Sequence, residues 1–449
     1  MFKKQITGFW TIHTYFAEKA FSMKRFLSVI LLLVSVLAVA YAQPGLDQCK
    51  EMARKHYPVI RQYDLISQSQ EYSMSNAAKA WLPQVNLSAQ ATYQSDVASW
   101  PDQFESMLSA MGLDMPGLRK DQYKVQIDIQ QTIWDGGKSK AERALAVSEA
   151  EQSVRSADVE MYSLDSRIEN LYFGILLLQE QKRQIEDMVA RLQNNLDYVN
   201  ALVENGVAMQ ADADAVEAQM LSSGQNLHQV KASEDSFRRM LELFIGESLG
   251  DGNLPVPQAV APMATDSQRP ELLMFDAQIG ALEAKNQMLN AALTPKFALF
   301  AQGYYGYPGL NMFENMMSSK WSLNGIVGVR MSWNISSFYT DKTSRKQITN
   351  AMDRVLLQKD IFTFNTKIQV EQDNAEIRRI RAVLADDDRI VSLRKNVREA
   401  AEARLQEGAV DMNDLLSKIS DESAAMIARS THEVELIKAI YDLKYTLNR

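Results

Sequence analysis

The chain has 449 residues and is acidic: 56 Asp and Glu stand against 48 Lys and Arg, a formal charge of -8, with no basic tract. That balance argues against nucleic-acid partners, whose phosphates need clustered Lys and Arg, and a single cysteine excludes an intrachain disulfide. Only 19 Gly and 11 Pro leave little material for linkers, while the abundance of Ala, Leu, Glu, Gln, Lys and Arg favours helix.

The N-terminus carries Lys24-Arg25, an apolar run over 26–39 and the small-x-small sequence Ala40-Tyr41-Ala42. This is the pattern of a secretory signal peptide cleaved before Gln43. The 22 residues before Met23 are expected to be an upstream extension, so 1–42 stand apart from the fold. A transmembrane anchor is the competing reading, disfavoured by a short run that ends in a cleavage site. Leu46-Asp47-Gln48 lacks the small residues of a lipid-attachment site, so Cys49 is expected to be a buried helix residue. No later apolar run is long enough for a spanning helix. An exported chain of this kind is either free of the membrane or enters it as β-strands.

From Gln43 onward the chain is a duplication. Pro58 and Pro270 are 212 residues apart, as are Pro83 and Pro295, and Ala89-Gln90 and Ala301-Gln302. Each copy reads helix, strand, strand, long helix, return helix, which divides the chain into 43–267 and 268–449. The first helix runs up to Trp81, and His56, just before Pro58, is expected to mark a helix start. Strands are expected over 85–94 and 124–134, then over 297–305 and 321–333. Val85, Leu87, Ala89, Ala91 and Tyr93 alternate with Asn86, Ser88, Gln90 and Thr92. Val125, Ile127, Ile129 and Ile133 alternate with Gln126, Asp128 and Gln130, and Leu323, Val327, Val329 and Met331 with Asn324, Arg330 and Ser332. Period-two alternation over about ten residues is the signature of a transmembrane barrel, apolar toward lipid and polar toward a lumen. A half-buried strand pair in a soluble protein gives the same pattern. The export signal favours the membrane, as do Tyr93, Trp134, Tyr305 and Trp333 at strand ends, where interface aromatics lie. The segments 95–121 and 306–320 read as loops.

The turn Asp135-Gly136-Gly137 opens a helix expected over 138–205, about 100 Å long at 1.5 Å per residue. Charged and polar residues recur along it, so it is no membrane span. Gly174, near its middle, has no assigned role beyond a site of curvature or close packing. Gly206 and Gly408 are each followed six residues later by Asp, Asp212 and Asp414. Such glycines end helices, here 138–205 and 341–407, and return helices are expected over 211–244 and 414–448. Helices 211–244 and 269–293 together nearly match 138–205 in length, which suggests antiparallel rods. His13, His56, His228 and His432 lie at no metal-ligand spacing. Phosphate loops and nucleophile elbows are missing too, so no enzyme, cofactor or metal site is expected. The 22 Met are read as adaptable packing.

In this duplication the sequence resembles the TolC-like outer membrane efflux family across essentially the whole chain after residue 42. The resemblance rests on Pro58/Pro83 and Pro270/Pro295, on the strand endings Gln131-Thr132-Ile133-Trp134-Asp135-Gly136-Gly137 and Arg330-Met331-Ser332-Trp333-Asn334, and on the two Gly turns with Asp six residues on. It implies a mainly α fold with a β-barrel contribution. Four strands per chain would complete a 12-stranded trimeric outer-membrane barrel, continued by a periplasmic α-helical tunnel. The implied function is passive exit of substrates handed over by an inner-membrane pump and a periplasmic adaptor protein.

On that reading the barrel lumen is lined by Asn86, Ser88, Gln90, Thr92, Gln126, Asp128, Gln130, Asn324, Arg330 and Ser332. Tyr93, Trp134, Tyr305 and Trp333 mark the membrane interface. Asp414 sits at the family's constricting acidic position, and Asp212, Asp214 and Asp411 add to the channel gate. Some relatives carry a second acid three residues after that position, where this chain has Ser417, and helix N-capping is the competing role for each Asp. The turns Asn205-Gly206-Val207-Ala208 and Glu407-Gly408-Ala409-Val410 are the expected adaptor contacts. A type I protein-secretion conduit on the same fold and a soluble periplasmic coiled-coil scaffold are the competing functions.

Overall fold

The computed structural model describes residues 43–113, 117–250, 252–262, 266–407, 409 and 411–449. The expected signal segment, together with Gly408 and Val410 of the second turn, lies outside the described residues. The elements in order are α1 (Leu46–His56), α2 (Ile60–Lys79), β1 (Gln84–Tyr93), α3 (Asp102–Ala110), β2 (Asp121–Trp134), α4 (Lys138–Glu204), α5 (Gln210–Ile245), α6 (Pro270–Ala292), β3 (Lys296–Tyr307), α7 (Met312–Met317), β4 (Ser322–Ser332), α8 (Ser337–Gln406) and α9 (Met412–Leu447). No described helix is long and apolar enough to cross a membrane.

His56 ends a helix instead of starting one. Pro58 biases the residue before it away from helix, and Tyr57 is extended at φ -63°, ψ 132°. The two segments read as loops each contain a short helix, α3 and α7, whose apolar residues pack together: Trp100 lies 5.4 Å from Phe104 and 6.0 Å from Phe313 between ring centres.

The chain forms two compact units. One, spanning Arg61–Val159 and Pro270–Phe364, holds the sheet. Its strands pair antiparallel in the order β1-β2-β3-β4. The register aligns Asn86 with Asp128, Asp128 with Gln302 and Tyr304 with Asn324. Side chains alternate between faces, so equal parity in this register means a shared face. The strand-to-helix junction is tightly tied. Asp135 accepts hydrogen bonds from the backbone N–H groups of Ser139 (2.7 Å) and Gly137 (2.9 Å). Burial works to raise its pKa, but these bonds and the Ser139 hydroxyl outweigh it and hold the carboxylate below its ordinary value. Thr294 donates to the Gly136 carbonyl at 3.1 Å, and the Trp333 indole to the Leu293 carbonyl at 2.9 Å. Arg345 holds α6 to α8 through Asn286 and Asn290.

The second unit contains the residues through Ile60, Glu160–Arg269 and Asn365–Arg449. Here α1 docks on α4 through Lys50–Glu169 (2.5 Å) and Arg54–Asp165. The segment after α5 is pinned by Arg238 to the carbonyls of Gly250 and Gly252, and by Tyr172 to that of Pro255 at 2.7 Å. Cys49 is fully buried in α1, and burial pushes its thiol up to about 11.

Candidate functional site

Two features carry the expected site residues: the two faces of the sheet and the turns that end the long helices. On the sheet, the odd-numbered positions form an apolar face that is largely exposed, Tyr307 being buried against Leu118 and Met316 at its hairpin end. Leu323 is 81% exposed, Val327 80% and Leu87 72%. From Tyr123 through Gln131 on β2, and along the matching odd positions of β1, β3 and β4, this face bears no charged side chain. Aromatic residues gather at both of its ends. Trp321 packs on Tyr123 (6.0 Å) and Tyr305 (5.4 Å) at the hairpin end, where Tyr93 also lies. Trp134 meets Phe297 (5.9 Å), and Trp333 meets Phe338 (6.2 Å), at the helix end.

Trp134 reaches this face only through an irregularity. By simple alternation its even number would put it on the polar face, but the register shifts between Thr132 and Trp134. Trp134 is thereby opposite Phe297, on the same side as Tyr93 and Tyr305. A bulge that inserts one residue re-aims the side chains beyond it.

The polar face holds Asn86, Ser88, Gln90, Thr92, Gln126, Asp128, Gln130, Asn324, Arg330 and Ser332 at even positions of one register. Asp128 accepts from the Gln126 amide at 2.6 Å and the Gln302 amide at 2.9 Å. The same parity adds residues that the sequence reading did not select: Lys124, Lys296, Phe300, Gln302 and Tyr304. Phe300, Gln302 and Tyr304 share one side of β3 by period two, and the register joins them to the polar face of β2. Both outer strands, β1 and β4, have one edge without a strand partner among the described residues.

The two turns lie together in the second unit. A shared core of Leu192, Leu196, Val199, Ala213, Val216, Ala401, Met412, Leu415, Leu416 and Ile419 packs α4, α5, α8 and α9 beside them. Gly206, at φ 73°, adopts the left-handed conformation that ends α4, and Val207 N–H closes on the Leu202 carbonyl at 2.9 Å. The second turn repeats the closure, with Ala409 N–H on the Arg404 carbonyl at 2.9 Å. Asn205, Gly206, Val207, Glu407 and Ala409 are exposed and Ala208 is half-buried.

The acids at these turns differ in what they do. Asp212 accepts from the Met209 N–H at 3.0 Å, and Asp411 from the Asp414 N–H at 2.8 Å. Each repeat thus uses one half of a capping box, the first the carboxylate at the third helical position and the second the carboxylate at the cap. Asp414 is thereby released from capping; its carboxylate lies 3.5 Å from Lys418. Asp214 accepts from Gln210 at 2.9 Å. Below the turns, the buried Glu422 ties α4 to α8 and α9 through Arg191 (3.1 Å) and Arg398 (2.5 Å).

A mainly helical chain with one four-stranded antiparallel sheet, apolar and exposed on one face, has the fold of outer-membrane channels with helical extensions. Residues 51–247 match the outer membrane efflux protein family. That stretch carries the family's sequence pattern, and nearly the whole chain has the fold of solved outer-membrane channels. Among curated protein sequences none matches it. Among solved structures it is similar to VceC, an outer membrane protein of Vibrio cholerae (14% identity, 90% of this chain and 95% of that one, TM-score 0.65). It is similar also to the CmeC outer membrane channel of Campylobacter jejuni (12%, 90% and 86%, 0.64). A third similar structure is the open state of the Neisseria gonorrhoeae MtrE outer membrane channel (14%, 90% and 89%, 0.63).

Proposed function

We propose that this chain is the exit duct of a tripartite efflux system. Three copies close a 12-stranded barrel in the outer membrane, and their helices continue the wall as a periplasmic tunnel. Substrate arrives from an inner-membrane pump through a periplasmic adaptor and leaves by diffusion. The observation that best supports this is a sheet with one apolar, largely exposed face and, among the described residues, two open edges. Hydrocarbon tolerates no unpaired strand edge, and four strands are too few to close around a lumen. The exposed apolar face also weighs against a soluble scaffold, since a patch of this kind marks an interaction surface.

In this reading Asp414 carries the constriction and the turns at 205–208 and 407–410 meet the adaptor. A ring of three carboxylates favours cations at close quarters. Asp212 and Asp411 serve the gate indirectly, by fixing the helix starts. The test is reconstitution of the detergent-purified protein in planar bilayers. Discrete conductance steps are expected, with a loss of cation preference in Asp414→Ala. Recovery of the exported chain as a soluble monomer would overturn the duct.

A further inference from the structure

We infer that the barrel interior selects for anions, so that the duct's substrates include small organic anions such as carboxylates, sulfates and phosphates. The inference rests on the duct reading and goes on from the charges of the polar sheet face. That face carries three cations, Lys124, Lys296 and Arg330, and one carboxylate, Asp128. Two of the cations are seated on rings of the same face. The Lys124 ammonium lies 4.4 Å from the centre of Tyr304, and the Arg330 guanidinium 4.7 Å from that of Phe300. Phe300 in turn lies over Gly328, where a Cβ would come within 2.8 Å of it.

A ring holds a cation in place without neutralising it, because its attraction is that of a quadrupole. Among the described residues none of the three cations forms an ion pair with a carboxylate. Asp128 is bound by neutral amides of Gln126 and Gln302 and has no cation on it. The face therefore presents a surplus of positive charge. The register distributes it: Lys124 is level with Gln90 toward the hairpin end, whereas Arg330 is level with Ala298, and Lys296 with Ser332, toward the helix end. In three copies each level becomes a basic ring, with a weaker acidic ring between. Rings of Lys and Arg favour anions in a pore, and low-dielectric walls focus their field. The acid at the turns acts in the opposite sense, so the two must be measured apart.

The test uses reversal potentials in planar bilayers under a KCl gradient, with the Asp414→Ala protein as the background. Converting Lys124, Lys296 and Arg330 together to Gln is expected to lower the chloride-to-potassium permeability ratio about three- to sevenfold, the effect of one to two kT of potential. Asp128→Asn should shift it the other way. Exchanging Lys124→Arg and Arg330→Lys keeps the charge and should keep the ratio. An unchanged ratio in the triple Gln protein overturns the inference, as does a charge-conserving exchange that loses the preference. Wild-type trimers that insert but never conduct overturn the duct itself instead.

Discussion

Gly174 faces Phe237 where α4 passes α5, and a Cβ there would lie 2.5 Å from the ring. Ala at this position is expected to lower stability by about 1–3 kcal/mol, the cost of overpacking a filled site. Phe237→Leu in the same protein should recover part of it, a coupling that a double-mutant cycle of unfolding midpoints reads directly. On the same helix pair, the buried Glu234 is bound by Lys182 (2.6 Å) and Arg238 (2.9 Å). Burial pushes its pKa up, but the hydrogen bonds from Lys182 and then Arg238 prevail and the carboxylate titrates below its ordinary value of 4.5. A depressed folded pKa means stability that is present above the unfolded value and is lost as pH falls through the folded one. Glu234→Gln should therefore cost about 3 kcal/mol at neutral pH, as when one partner of a buried pair is removed. The gap between the two proteins in urea unfolding should shrink on acidification below about pH 4.5.

At the scale of elements, the alternation assigns opposite surroundings to adjacent residues of a strand. Leu87 and Ser88 are neighbours on β1, one on the apolar face and one on the polar face. Leu87→Lys is expected to cost about 2–4 kcal/mol if the site lies near the middle of the bilayer, and to reduce the protein recovered folded from the outer membrane. Ser88→Lys should leave recovery unchanged, and equal losses from both would refute the face assignment. Much of this was legible in the sequence because it is local. Period-two alternation, a Pro pair repeated at a fixed offset and Gly at the helix ends each depend on neighbours along the chain. What escaped depends on partners distant in sequence. The shift at Trp134 exists only relative to β3. The role of Gly174 exists only relative to Phe237. The exchange of capping duty between Asp212 and Asp411 needs coordinates, since both helix starts present an acid near the first turn. The short helices α3 and α7 were hidden by flanking Gly and Pro, and their shared packing around Trp100 accounts for their order.

For the whole molecule the decisive question is how the sheet edges are satisfied. Strands β1 and β4 lie at opposite edges of the sheet, three inter-strand spacings or about 14 Å apart. A disulfide requires Cα atoms within about 7 Å, so a cysteine on β1 cannot reach one on β4 of the same chain. The native cysteine does not interfere. Cys49 is fully buried and its thiol is pushed up to about 11, whereas the thiolate is the reactive form. Cysteine at Ser88 can therefore be combined in turn with cysteine at Asn324, Leu323, Ile326, Val327 or Arg330 and oxidised in isolated outer membranes. If β4 of one chain pairs with β1 of the next, Ser88→Cys should link to one or two even-numbered positions, because partners on the same face approach and those on opposite faces do not. A non-reducing gel should then show species of two and three chains and no larger one, since a ring of three uses every edge. Equal linking to Leu323 or Val327 would contradict the shared face, and a ladder that continues past three chains would contradict closure of the barrel at twelve strands.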